Sequence, residues 1–144
     1  MWETTLDDIL TSDPVAKKVF LGTFARDELP LQPPYPSCLV FNTAPRSHSG
    51  EHWLALYYDD NGSCDFFDPY GMPANHFGMA FYLDKTSNIW KENKKRLQGS
   101  SQYCGYYCFL FLLFRARSKT IQFFQSFSST LSKNDKLIKN LFEI

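Results

Sequence analysis

Apolar residues in the first half of the chain recur with the short, dense spacing of β-strands. The segment "SCLVFNT" (37–43) is β-prone, and "HWLALYYD" (52–59) is apolar throughout, which is typical of a strand covered on both faces. The turn sequence "DDNG" (59–62) then leads into "SCDFFD" (63–68), and together they predict an antiparallel hairpin. A second turn, "DPYG" (68–71), ends that strand.

Helix-like patterns flank these strands. Five helices are predicted, at residues 4–10, 75–85, 104–115, 119–131 and 132–144. The third is the most apolar, Gly78 weakens the second, and Ser132 with Asp135 forms a capping-box-like start to the last. The sequence therefore predicts an α+β protein with a small, central, mainly antiparallel sheet flanked by helices.

The remaining segments are expected to be irregular. "KKVFLGTF" (17–24) is a short apolar stretch that should end in a glycine-containing turn. Four prolines in residues 29–36 predict a loop, and a short extended piece is expected around Arg96 to Gln98. With 144 residues, the whole chain (1–144) is predicted to be a single domain.

The charge balance argues against a nucleic-acid-binding protein. Lysine plus arginine and aspartate plus glutamate number 15 each. The basic run "KENKKR" (91–96) is therefore interpreted as a solvated helix face or turn. No apolar run is long enough to span a bilayer, and the acidic N-terminus does not resemble a signal peptide, so no membrane partner is expected.

Four cysteines in a chain without a signal peptide are expected to be reduced thiols. Cys104 and Cys108 lie one helical turn apart, but Cys38 and Cys64 stand alone in strand-like runs. A zinc site is therefore not predicted, and neither is any other metal or cofactor.

Cys104 has the surroundings of a nucleophile. It is followed by Gly105 at the start of a buried helix, whose positive end favours a thiolate, and glycine lets a substrate backbone approach. Gln98 lies six residues earlier across a Gly-Ser-Ser turn. Its amide can fold back beside the cysteine as an oxyanion donor, together with the backbone N–H of Cys104.

A cysteine nucleophile needs a base, and His52 is the best candidate. It heads the strand at 52–59, whereas His48 lies in the preceding loop and His76 in a predicted helix. The hairpin should bring Asp68 roughly opposite His52, while the competing Asp65 lies inside the strand. Taken alone, each residue is more simply interpreted as structural: an ordinary histidine, a turn aspartate and a core cysteine. Their joint order along the chain is what favours a Cys-His-Asp triad.

The segments "GEHWLALYY", "CDFFDPYG" and "LQGSSQYCGYYCFLF" together resemble the adenovirus-type endopeptidases, the adenain family, which shares a clan with Ulp1-like SUMO proteases. "FLGTF" and "LVFNTAPR" extend the resemblance upstream. The resemblance implies a papain-like cysteine protease fold. It implies four catalytic residues, namely His52, Asp68, Gln98 and Cys104. It also implies four substrate-binding residues, namely Gly50, Glu51, Trp53 and Gly105.

Trp53 would help wall a narrow slot that admits Gly-Gly next to the scissile bond, although a core tryptophan is an equal alternative. The implied activity is a cysteine endopeptidase that cleaves viral or transposon structural precursors, such as capsid and core proteins, during capsid maturation. Alternatives are a Ulp1-like deSUMOylase or deubiquitinase, a non-catalytic binding module, and a structural protein with coincidental motifs.

The resemblance further implies a setting and partners. The expected source is a Polinton/Maverick-type transposon or a related virus, and the expected location is the host nucleus and the virion or virus-like particle. A peptide or DNA activator belongs to the family pattern, but residues 75–97 contain no cysteine for a covalent peptide and the net charge is zero. We therefore expect neither activator to act strongly on this chain, and we expect a monomer.

Overall fold

The computed structural model describes the backbone of residues 2–44 and 52–144, with side chains from Leu6 onward within these ranges. Five strands form one sheet in the order in which they occur along the chain: β1 (Phe20–Phe24), β2 (Ser37–Asn42), β3 (Trp53–Tyr58), β4 (Ser63–Phe67) and β5 (Ile89–Glu92). The pairs β2–β3 and β3–β4 are antiparallel, while β1 and β5 run parallel to their neighbours at the two edges. The predicted hairpin is therefore confirmed, within a mixed sheet.

Among the described residues, five α-helices surround the sheet: α1 (Trp2–Ser12), α2 (Ala80–Thr86), α3 (Cys104–Ala116), α4 (Thr120–Gln125) and α5 (Leu131–Phe142). Short 3₁₀ turns lie at Ala16–Lys18, Arg26–Glu28 and Ala74–Phe77. The predicted α+β class is confirmed. None of the described helices combines the length and apolar character that a membrane crossing requires.

Each face of the sheet buries a separate hydrophobic core. Alternate residues of the central strands point to opposite faces, so Ala55 and Tyr57 pack beneath α3 whereas Leu54 and Leu56 pack toward α2. All of β2 is buried, and in β3 only Trp53 is partly exposed, as the unbroken apolar pattern predicted. The sheet is thus a rigid support for residues at the strand ends.

Some details of the predicted elements are wrong, and glycine explains two of them. Gly78 takes a left-handed conformation (φ 69°) and ends the 3₁₀ turn, so residues 75–85 do not form one helix. Gly22, at φ 135°, lies where the β1–β2 register shifts, so "FLGTF" is an irregular strand and not a turn. No strand forms at Arg96 to Gln98, where an extended piece was expected. The strand in this part of the chain is β5, at the edge of the sheet, and it ends at Glu92.

The capping box predicted at Ser132 and Asp135 is absent. Helix α5 begins two residues earlier than that box requires, with Thr130 and not Ser132 as its N-cap. The carboxylate of Asp135 instead accepts hydrogen bonds from the hydroxyl of Tyr107 and the backbone N–H of Gly99. A tertiary contact therefore replaces the local one.

The connections bring three segments to one end of the sheet. His52 directly precedes β3, Asp68 directly follows β4, and Cys104 is the first residue of α3, which packs across β3. Because β3 and β4 are antiparallel neighbours, the start of one meets the end of the other.

Candidate active site

His52 and Asp68 form a direct pair at this end of the sheet. Nε2 of His52 lies 2.6 Å from Oδ1 of Asp68, with 13% of the histidine side chain and none of the aspartate exposed. The two residues are not directly opposite each other. Ala55 pairs with Phe67 in the antiparallel ladder, so Asp68 lies level with Leu54. His52 lies two residues before Leu54, on the same face of the sheet. The predicted contact is present with this offset.

The Asp68 carboxylate is held by backbone groups as well as by the imidazole. The N–H of Tyr70 donates to Oδ1 at 3.0 Å, and the N–H of Met72 donates to Oδ2 at 3.1 Å. These are contacts of the turn "DPYG", and such amide donors stabilise an ionised carboxylate. The turn therefore fixes the orientation of the acid that contacts His52.

The backbone of Asp68 is held in turn by Asn93. The amide oxygen of Asn93 accepts from the N–H of Asp68 at 2.9 Å, and its Nδ2 donates to the carbonyl of Asp68 at 2.8 Å. Sequence reasoning did not find Asn93, because it lies in the "KENKKR" run that was interpreted as solvated.

Aromatic rings fix the plane of the imidazole. The rings of Tyr70 and Phe77 stack on it, with centroids 4.8 Å and 6.0 Å away. The carbonyl of His52 also accepts a hydrogen bond from the N–H of Thr43 at 2.9 Å. Both the backbone and the ring of His52 therefore have defined positions.

The surroundings of His52 favour its protonated form. Burial alone would lower its pKa, but hydrogen bonds to Asp68 and Cys104, and the negative charges on both, outweigh burial and raise the pKa from 6.5 to about 9. Since Nε2 donates to Asp68, the other ring nitrogen, Nδ1, is the one available to the sulfur of Cys104. His52 therefore lies next to both Asp68 and Cys104.

Cys104 begins α3, with Tyr103 as the N-cap, and is 8% exposed. The first backbone amides of a helix have no intrahelical acceptor, so they present positive charge at Cys104. The other three cysteines are more deeply buried, with at most 1% of each residue exposed. Burial raises the pKa of the Cys38 thiol to about 12 and also raises the pKa values of Cys64 and Cys108.

Gln98 is completely buried in the loop before α3. Its Nε2 donates to the carbonyl of Ser101 at 2.8 Å, and its backbone N–H donates to the carbonyl of Pro69 at 3.0 Å. The same nitrogen also lies 3.5 Å from the hydroxyl oxygen of Ser101, a longer and weaker contact. Within the described part of the chain, Oε1 of Gln98 has no partner.

Helix α5 holds the same loop from its other side. The amide of Asn134 donates to the carbonyl of Leu97 at 2.9 Å, and Asp135 accepts from the N–H of Gly99 at 3.2 Å. Leu97 and Gly99 flank Gln98, so α5 fixes the backbone on both sides of the predicted donor. Asn134 and Asp135 carry no local sequence signal for this role.

The remaining predicted site residues lie in different surroundings. Trp53 is partly buried against the core beneath α3, and its carbonyl accepts from the thiol of Cys108 at 3.3 Å. Gly105 is buried and lines a surface pocket of about 190 Å³ together with Tyr103 and Tyr106. The predicted substrate residues Gly50 and Glu51, and the alternative base His48, lie outside the described residues.

The alternative acid and base are not part of the set. Asp65 forms an ion pair with Arg115 near the end of α3, with Nε 2.6 Å from Oδ2. His76 is exposed and packs edge-on against Phe77. Among the described residues, no group of three or more histidine, cysteine, aspartate or glutamate side chains could hold a metal ion.

Comparison with known proteins gives one family. A family model for the adenovirus endoprotease matches residues 20–134, a range that includes His52, Asp68, Gln98 and Cys104. The chain is 29% identical over 110 residues to a protein named "Protease" from Human adenovirus B serotype 3, covering 65% of this chain and 52% of that protein. It is 31% identical over 109 residues to "Protease" from Bovine adenovirus 2, covering 65% and 53%.

A third relative, "Protease" from Porcine adenovirus A serotype 3, is 30% identical over 116 residues, covering 68% of this chain and 56% of that protein. The chain therefore spans about half the length of these curated relatives.

Proposed function

The chain belongs to the adenovirus endoprotease family, and on that basis we propose that it is a cysteine endopeptidase with Cys104 as nucleophile, His52 as base and Asp68 as the acid that orients His52. The observation that carries the proposal is the 2.6 Å contact between His52 and the buried Asp68, next to a cysteine at the first position of a helix.

The first half of the reaction is acylation. The Cys104 thiolate attacks the carbonyl carbon of the scissile peptide, a C–S bond forms, and the carbonyl oxygen becomes an oxyanion. When this intermediate collapses, the C–N bond breaks and the leaving amine takes a proton from the His52 imidazolium. A thioester on Cys104 remains.

The second half returns the enzyme to its starting state. His52, now neutral, accepts a proton from water as the water oxygen attacks the thioester carbonyl. The C–S bond then breaks, which releases a carboxylic acid and restores the thiolate–imidazolium pair. Asp68 keeps its charge throughout and stabilises the imidazolium.

Gln98 would stabilise the oxyanion in both halves. The Nε2 amide of Gln98, whose contact to the Ser101 hydroxyl is long, and the backbone N–H of Cys104 are the two proposed donors. The hydrogen bond to Ser101 supports this role, because it fixes the amide plane before the substrate arrives.

We further propose that the substrates are structural precursor proteins of a virus or transposon, cut during capsid maturation. Trp53 would wall a slot that admits Gly-Gly, since a slot that clears only a Cα hydrogen rejects every larger residue. The family relatives are adenovirus proteases, which does not favour the Ulp1-like alternative. A monomeric enzyme without a strong peptide or DNA activator, acting in the nucleus and the assembling particle, completes this proposal.

The test is hydrolysis of a fluorogenic peptide library that includes Gly-Gly sequences, beside ubiquitin- and SUMO-fluorophore conjugates. We expect cleavage of Gly-Gly peptides and none by the Cys104→Ala variant. Efficient cleavage of the conjugates with no peptide turnover would contradict the proposed substrate class, and no cleavage of any substrate would contradict the proposed activity.

A further inference from the structure

We propose that Arg96 is a positioning residue, which fixes the position of the oxyanion donor Gln98 relative to His52. The proposal rests on the proposed function, because a donor has to be positioned only if an oxyanion forms. Arg96 lies in the basic run at 91–96, which the sequence alone indicated to be a solvated helix face or turn.

The guanidinium of Arg96 contacts the backbone of the loop at 97–103, which bears Gln98 and is called the oxyanion loop below. Its Nε donates to the carbonyl of Gln98 at 2.8 Å, and its Nη2 reaches the carbonyl of Gly99 at 3.5 Å. Hydrogen bonds from a charged donor are about twice as strong as those between neutral groups. The carbonyl side of Gln98 is therefore held by Arg96, while its N–H side is held by Pro69.

The same guanidinium contacts the ring that packs on His52. The central carbon of the Arg96 guanidinium lies 4.9 Å from the ring centroid of Tyr70, and that ring stacks on the imidazole at 4.8 Å. The N–H of Tyr70 also donates to Asp68. Tyr70 is thus in contact with both members of the His52–Asp68 pair, and Arg96 connects it to the loop that bears Gln98.

The geometry suits arginine specifically. A planar guanidinium can lie over an aromatic ring while its N–H groups point sideways to carbonyl oxygens. A lysine ammonium has the charge but lacks this fixed fork. The side chain of Arg96 is largely exposed, so replacing it should cost little stability and leave a folded protein.

Loss of these contacts should affect the transition state and not the free thiolate. A displacement of about 1 Å in a positioned group can cost about a hundredfold in rate. Alkylation of Cys104 by iodoacetamide requires the thiolate but forms no oxyanion. The two reactions therefore separate a positioning defect at Gln98 from a general loss of structure.

The experiment compares Arg96→Met with Lys94→Met, which removes a lysine of the same run whose side chain is 87% exposed. Each variant is assayed for hydrolysis of the best library peptide and for alkylation of Cys104. We expect Arg96→Met to lower kcat about tenfold with KM within about twofold, and to leave the alkylation rate unchanged. We expect Lys94→Met to match the wild type in both assays and Arg96→Lys not to restore kcat.

A double-mutant cycle with Gln98→Met tests the route of the effect. If Arg96 acts through Gln98, the loss caused by Arg96→Met should disappear when Gln98 has already been replaced. Additive losses, full activity in Arg96→Lys, or an equal fall in alkylation would each overturn the inference while leaving the proposed function intact. A wild-type protein that alkylates normally but hydrolyses no peptide would overturn the proposed function, and the inference with it.

Discussion

The imidazole of His52 lies 2.6 Å from Asp68, whose side chain is completely buried. Asp68 cannot turn toward water, because the amides of Tyr70 and Met72 hold its two carboxylate oxygens and Asn93 holds its backbone. A buried carboxylate in this position keeps the histidine protonated and oriented.

The first prediction concerns the pKa of His52. Its hydrogen bond to Asp68 is the strongest influence that raises this pKa, and the one to Cys104 comes next. We expect an NMR titration to give a midpoint near 9 in the wild type and a lower midpoint in both Cys104→Ser and Asp68→Asn. Equal midpoints in the wild type and Asp68→Asn would contradict the assignment of Asp68.

The second prediction is a pH dependence of stability. The pKa of His52 is raised from 6.5 to about 9, so the folded state binds this proton more tightly than the unfolded state. The resulting stabilisation is fully present below about pH 6.5 and is lost as the pH rises through about 9. Urea unfolding should therefore show a stability advantage of wild type over His52→Gln that shrinks between pH 6 and about 9.5. An advantage that grows over this range would have the wrong sign.

The third prediction concerns Asn93. Asn93→Ala leaves the N–H and carbonyl of Asp68 without their side-chain partners, which should cost about 1–3 kcal/mol of stability. We also expect peptide hydrolysis to fall about tenfold, because the acid that orients His52 loses its anchor. Asn88→Ala is the matched control, since Asn88 bonds to the carbonyl of Asn61 at the other end of β4. Equal losses of activity in the two variants would argue against a role for Asn93 in positioning.

The fourth prediction tests the contact between α5 and the oxyanion loop. A methyl group on Gly99 would lie 2.8 Å from Oδ2 of Asp135 and 3.3 Å from Cβ of Leu131. Gly99→Ala should therefore displace the loop, lower stability by about 1–3 kcal/mol and reduce hydrolysis. The neighbouring Ser100 is exposed, so Ser100→Ala should leave both unchanged. Full activity in Gly99→Ala would show that the loop tolerates displacement.

The central hairpin and the His52–Asp68 contact could be predicted because they depend on local signals. Strand periodicity and the turn at "DDNG" fix which residues of β3 and β4 lie near each other. The sequence pattern could not predict that Asp68 lies level with Leu54, two residues from His52. The ladder ends at Phe67, and the turn that follows determines where the Asp68 side chain points.

The supporting residues could not be predicted, because they act through tertiary contacts. Asn93 and Arg96 look like members of a solvated charge run until the fold brings them beside Asp68 and Gln98. Asp135 looks like a helix cap, but Gly99 and Tyr107 offer it stronger partners across space. Edge strand β5 is also short and half exposed, so it lacks a clear hydrophobic pattern.

The most direct test of the central claim is the reactivity of Cys104 toward a low dose of iodoacetamide, followed by mass spectrometry across about pH 5 to 8. If Cys104 and His52 form a thiolate–imidazolium pair, Cys104 should be alkylated even at the acidic end. Cys38, Cys64 and Cys108, whose pKa values are raised by burial, should not react there. His52→Ala should abolish the acidic reactivity. A Cys104 that reacts no faster than Cys38 or Cys108, or that reacts equally well without His52, would contradict the account.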